Sequence, residues 1–409
     1  MRAFSCDHCG QLVFFENSLC LRCQTPLGFA PSALQLVTLE GERADAQRCA
    51  NLTLAECNWL VEDENDEGLC RSCRVTTIRP ADDDLEGLKN FAAAESAKRR
   101  VLYQLLDIGL PVDEETLSFE LRSSTSEPVT TGHADGVVTL DLAESDDANR
   151  EARREQLGEA YRTMIGHFRH ELGHYYQDII LPDEPTREAS RKVFGDERDD
   201  YSAAMDKHYE SGPPADWPDH FVSAYATMHP WEDWAETFAH YLHIRDTLQT
   251  AGDFGMRVDG PQAAEDHIRD FKAAPRPEVG EFGFREIVDN WIPLTYALNQ
   301  INRSMGISDL YPFALADTVI EKLAFMHDRV HAIETGAVEP GAAPTPAPVE
   351  DDPVDDAPDD DAPDDDAADD GAADDGAAAA GAETTATVED EPIDDQPVDD
   401  AAPAGKAQG

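Results

Sequence analysis

The chain has 409 residues, 41% of them apolar, and a formal net charge of −53. That apolar share supports a globular core of roughly 250 residues with appendages, while the acidity argues against nucleic acid or anionic lipid as a partner. No stretch approaches the ~18 apolar residues a membrane helix needs, and the opening Met1-Arg-Ala-Phe-Ser is followed by Cys6-Asp-His rather than by the apolar run of a secretory leader, so a cytoplasmic protein is expected.

All eight cysteines lie in the first 73 residues. Cys6-x2-Cys9 and Cys20-x2-Cys23 have zinc-ribbon spacing, in which two knuckles supply four thiolates. Cys49, Cys57, Cys70 and Cys73 form a second set, with one C-x2-C and one widened pair. Two structural zinc sites of four cysteines each use every cysteine. Disulfides are the alternative, and a reducing compartment disfavours them. Such sites stabilise a segment, residues 1–80, that is too small for much core. Residues 1–80 contain no lysine and only scattered arginines. Phosphate contact needs basic charge, so a protein-contact or stabilising role suits the ribbons better than nucleic-acid binding.

The second region, 81–337, mixes helical and strand patterns. Residues 88–107 read as a helix. Leu117–Leu121 and Val137–Leu142 alternate as strands do. A helix is expected from about Glu151 to Gln177, and further helices over 284–334, where Phe284, Ile287, Trp291 and Leu294 fall on one stripe.

Within the helix expected over 151–177 lies His170-Glu171-Leu172-Gly173-His174, an H-E-x-x-H run. Positions i and i+4 stack on one helical face, so both imidazoles reach the same ion. Glu171 points at the neighbouring rim, placed to act as general base on a water that zinc acidifies. A catalytic zinc usually takes three protein ligands plus water. The places where a third histidine and its glycine would stand in H-E-x-x-H-x-x-G-x-x-H hold Ile180 and Gln177, which excludes that class. A carboxylate from a second helix is the remaining route. Residues 230–245 begin with Pro230 and early acidic residues, which are helix-start signals, and Trp234, Phe238, Tyr241 and Leu242 follow at helical spacing. Glu232 and Glu236 share a face there. Glu232 is assigned as the ligand and Glu236 as the group that hydrogen-bonds the far nitrogen of a ligating histidine; Glu236 or Asp233 as ligand is the alternative. His167 is expected to be packed or to support the ligands, and His229, His240 and His243 to be structural or exposed. From about Glu339 the composition turns to Asp, Ala, Pro and Gly without an aromatic residue, and 338–409 is expected to be a disordered acidic tail.

The run His170-Glu171-x-x-His174 with Glu232-x-x-x-Glu236 resembles the gluzincin pattern. More closely, the stretches 166–176 and 221–241, together with the cysteine-rich start, resemble a bacterial family of zinc-binding metallopeptidases with an N-terminal zinc ribbon. The resemblance covers residues 1–333. It implies an α+β, zincin-like domain, with a small sheet over the active-site helix and a mainly helical remainder, preceded by zinc-ribbon modules. An extended peptide would add to the edge strand of that sheet, expected near Gly136–Leu142. By analogy with lethal-factor-like gluzincins, Tyr225, seven residues before Glu232, is a candidate to stabilise an oxyanion. A peptidase with one catalytic and two structural zinc ions is the leading expectation, acting on a peptide or protein substrate. A silent zinc protein that serves as an interaction module is the alternative, and an intact Glu171 speaks against it.

Overall fold

The computed structural model describes residues 1–63, 67–124, 129–146, 149–150, 162–260 and 271–344. The chain starts with two hairpins: β1 (Phe4–Ser5) pairs antiparallel with β2 (Leu12–Val13), and β3 (Leu27–Ala30) with β4 (Gln35–Thr38). The knuckles of the first cysteine set repeat one geometry. Gly10 N–H donates to Cys6 O and Gln24 N–H to Cys20 O, each at 2.8 Å. The residue after each second cysteine has positive φ, 70° at Gly10 and 61° at Gln24, a region open to glycine and uncommon for glutamine.

A four-residue helix, α1 (Arg71–Arg74), carries Cys73 and leads into β5 (Thr76–Ile78). The long helix α2 (Leu85–Asp107) follows, started by Asp84, whose carboxylate accepts from Gly87 N–H at 2.8 Å. Strands β6 (Ser118–Arg122), β7 (Gly132–Ala134) and β8 (Val137–Asp141) complete a sheet of order β5-β6-β8-β7. β5, β6 and β8 run parallel, and β7 returns antiparallel on β8. This corrects one expectation: the segment near 136–142 is not the edge. Asp135 and Gly136, with φ of 49° and 82°, turn the chain as Asp-Gly pairs do in tight hairpins, and β7 takes the edge.

The ribbon and the helices share one core. Phe15 and Phe29 close on Tyr103 of α2, with ring centroids 5.3 and 5.7 Å away. Beside the second cysteine set, the fully buried Glu95 and Lys98 of α2 pair at 2.6 Å, and Arg99 donates to Ala55 O at 2.9 Å.

The helical half consists of α3 (Met164–Ile180), α4 (Glu184–Phe194), α5 (Tyr201–Ser211) and α6 (Pro230–Asp253). After the short hairpin of β9 (Val258–Asp259) and β10 (Lys272–Ala273) come α7 (Phe284–Ser304) and α8 (Asp317–Glu334). The expected helix 151–177 differs at both ends. Thr163 is extended and caps α3, accepting from Gly166 N–H at 3.1 Å, so α3 begins at Met164 and runs on to Ile180. Residues 151–161 lie outside the described residues. Phe284, Ile287, Trp291 and Leu294 are buried as their stripe requires. At the start of the expected tail, Gly341 N–H donates to Ile179 O at 2.8 Å, and 345–409 lie outside the described residues.

α3 and α6 meet closely because their contact residues are small. A Cβ on Gly173 would sit 2.8 Å from the Ala235 Cα. Trp234 Nε1–H donates to Gly173 O at 2.9 Å across the same crossing. α2 is tied to both helices through Gln104, which accepts from Arg169 and donates to Leu242 O. α3 is thereby fixed on two sides.

Candidate metal centre

His170 and His174 project from α3 toward the first turn of α6, with ring centroids 5.0 Å apart. There Glu232 Oε2 lies 3.0 Å from His170 Nε2 and 3.5 Å from His174 Nε2. Glu232 is buried, and Oε2 has no hydrogen bond among the described residues. Two imidazole nitrogens and a carboxylate oxygen thus converge on one another, an arrangement that a cation completes. These donor types suit zinc.

Glu236, one turn along α6, faces the other side of His170: its Oε1 lies 2.7 Å from Nδ1, while Oε2 accepts from the Ser223 hydroxyl at 2.6 Å. Burial opposes a charge on His170, but Glu232 and Glu236 outweigh it and hold its pKa well above the ordinary value. The field therefore favours positive charge at this imidazole, and a metal ion at Nε2 meets the same demand. Burial also opposes ionisation of both glutamates, yet His170 holds Glu236 down to about 2, and His170 and His174 hold Glu232 below the usual carboxylate range.

His174 is held differently. Its Nδ1 has no hydrogen bond among the described residues, and packing orients the ring, with Trp231 4.0 Å away and His133 of β7 stacked at 6.4 Å. Glu171 is buried and makes neither a hydrogen bond nor an ion pair among the described residues. Its charge acts on the hydroxyls of Tyr201 and Tyr225. Tyr225 lies with its ring 5.8 Å from that of His170. Burial, then the Glu232 charge, raise the pKa of both tyrosines, which keeps them hydrogen-bond donors.

Asp233 is not brought into the site. It faces away, buried, 2.7 Å from Lys322 Nζ, and burial, only partly offset by Lys322, raises its pKa to about 7. His167 Nδ1 lies 2.7 Å from Glu144 Oε2 rather than beside the ligands. Although burial opposes it, His167 and Arg162 hold Glu144 down to about 2. His229 caps α6, accepting from Trp231 N–H at 3.1 Å. His240 and His243 are bound to Tyr311 and Arg169.

Sequence reading missed Tyr201, Ser223 and His133. Tyr201 donates to Glu232 Oε1 at 2.9 Å from another helix, 31 residues away, and no local pattern announces it. Asp135-Gly136 was a legible hairpin signal that would have placed His133 on the edge strand.

The cysteines gather as two groups of four, all unpaired. Cys6 and Cys23 sulfurs are 3.6 Å apart, Cys9 and Cys20 3.7 Å, and Cys57 and Cys70 3.6 Å. A tetrahedron with zinc–sulfur bonds of about 2.3 Å has edges of about 3.8 Å, so both groups fit the ion.

Fold and donor sets together define a zinc protein of mixed helix and sheet, in which a zinc-ribbon module precedes a peptidase-like domain. The chain belongs to the family described as "Putative zinc-binding metallo-peptidase", whose model matches residues 87–329, and a zinc-ribbon domain model matches residues 3–84. An uncharacterized protein of Mycobacterium bovis and one of Mycobacterium tuberculosis are each 48% identical over 340 residues, covering 81% of this chain and 96% of theirs. No solved structure matches the chain. Among the described residues no helix is long and apolar enough to cross a membrane.

Proposed function

We propose that the chain is a zinc-dependent peptidase, with His170, His174 and Glu232 holding one catalytic zinc and the two cysteine groups holding two structural ones. The observation that carries this reading is the pairing of three converging donors with a buried Glu171 that makes neither a hydrogen bond nor an ion pair among the described residues. Zinc bound there supplies Lewis acidity to a scissile carbonyl and lowers the pKa of water. Glu171 then takes the proton from the attacking water on its carboxylate and returns it to the leaving nitrogen. Tyr225, protonated and near Glu171, donates to the carbonyl oxygen as it gains charge.

A peptide or protein in extended form suits this site. β7 is one edge of the sheet and carries His133 beside His174, so a strand added there runs past the metal centre. Eight unpaired cysteines suit a reducing compartment such as the cytoplasm, and the ribbons are offered as contacts for a protein partner.

The test is Glu171→Gln in the full chain. It should keep its zinc and cleave a peptide library at least ~100-fold more slowly than wild type. Equal turnover by the two proteins rejects the peptidase.

A further inference from the structure

The two oxygens of Glu232 are treated unequally. Oε2 faces both histidine Nε2 atoms, while Oε1 accepts a hydrogen bond of 2.9 Å from the Tyr201 hydroxyl. The last torsion of a glutamate is broad and roughly two-fold, so nothing within the side chain decides which oxygen meets a metal, or whether both do. We propose that Tyr201 is a positioning residue of the metal centre, clamping Glu232 through Oε1 so that Oε2 alone is presented to zinc.

The surrounding contacts show that Tyr201 is placed for this. His229 accepts from Trp231 N–H through Nδ1, which leaves its Nε2–H to donate to Asp199 O at 3.0 Å. The residue that caps α6 therefore also holds the backbone two positions before Tyr201. Asp200 caps α5, accepting from Ala203 N–H at 3.0 Å. The Tyr201 ring then rests against His229 and Trp231, with centroids 5.2 and 5.9 Å away. α5 itself buries no residue, so Tyr201 is not there to fill a core. What ties the start of α5 to the centre is a hydroxyl on a ligand oxygen. Groups that orient a metal ligand in this way typically change affinity by about 10–100-fold when removed.

The inference rests on the metal centre proposed above and not on peptide cleavage. Its test is zinc affinity, measured by chelator competition on full-length protein whose cysteine sites are already filled. Tyr201→Phe keeps the ring and loses the hydroxyl. It should bind zinc at the histidine site about 10–100-fold more weakly, while its melting temperature with that site empty should equal the wild type's. In a Glu232→Ala background the same substitution should change nothing further, because the group it acts through is gone. Wild-type affinity in Tyr201→Phe, next to a clear loss in His174→Ala, overturns the proposal alone. An equal loss in the Glu232→Ala background also overturns it, since the hydroxyl would then act elsewhere. A wild-type chain that holds no more zinc than His174→Ala overturns the metal centre and this proposal together.

Discussion

Glu232 and Glu236 lie one turn apart on α6 and meet different nitrogens of the same histidine, Nε2 and Nδ1. That difference assigns different consequences to their loss. Glu232→Ala removes a donor from a three-donor set and should weaken zinc at this centre far more than loss of a supporting group does, leaving the residual affinity of the two histidines. Glu236→Ala leaves the donors in place but frees the His170 ring, and should weaken zinc by about 10–100-fold while the site still fills at high metal. Zinc per chain after dialysis, followed by chelator competition, separates the two cases. Loss in Glu236→Ala with retention in Glu232→Ala would reverse the assignment. These residues were legible in the sequence because the i, i+4 spacing of a helix fixes which side chains share a face. Each of the two pairs, His170 with His174 and Glu232 with Glu236, is a local fact of that kind. Tyr201 and Ser223 reach the same carboxylates from other segments, and only tertiary folding brings them there. The exclusion of Asp233 was equally unreadable, because its partner Lys322 comes from α8.

At the scale of elements, the centre depends on how closely α3 approaches α6, and Gly173 sets that distance. Alanine is favoured over glycine inside a helix by about 1 kcal/mol, so helix propensity alone predicts that Gly173→Ala stabilises. The added methyl would stand 2.8 Å from the Ala235 Cα and 3.1 Å from its carbonyl oxygen. Both are backbone atoms that no rotamer change can move, so the clash wins. Gly173→Ala should lower stability by about 1–3 kcal/mol, as overpacking does, and weaken zinc at the histidine centre by spreading the helices that carry its donors. Urea unfolding and zinc titration of the same protein read both effects, and a variant more stable than wild type would show that the crossing is not tight. The same local-versus-tertiary division governs which elements were readable. Helices with one apolar stripe, such as α7, follow from periodicity. The edge strand did not, because a five-residue β8 and a three-residue β7 exchange places on the strength of one Asp-Gly turn.

For the whole molecule, the ribbon does not stand apart from the peptidase-like domain. The ribbon family model ends at residue 84, yet β5, at 76–78, is a strand of the same sheet as β6, with Phe119 N–H donating to Val75 O at 2.7 Å. Phe15 and Phe29 share a buried aromatic cluster with Tyr103, and Cys73 lies 3.9 Å from Glu95 in the buried charge group of α2. All four cysteines of the second group are buried. Zinc bound by such a site contributes about 10–16 kcal/mol in isolated zinc-finger peptides, as much as or more than the ~5–15 kcal/mol that separates a folded domain from its unfolded chain. Removing one ligand of this group should therefore cost the entire fold and not only the ribbon. Cys70→Ser is expected to lower the melting temperature of the helical half and to release zinc from the histidine centre in the same transition. Circular dichroism at helical wavelengths, run alongside a colorimetric zinc indicator, follows both. If the ribbon melts first while the helices and their zinc persist to the wild-type temperature, the two modules fold independently despite their shared sheet. The shared aromatic cluster argues for a single transition, because opening the ribbon would expose the buried face of Tyr103, with Phe15 and Phe29, to water while α2 is still formed.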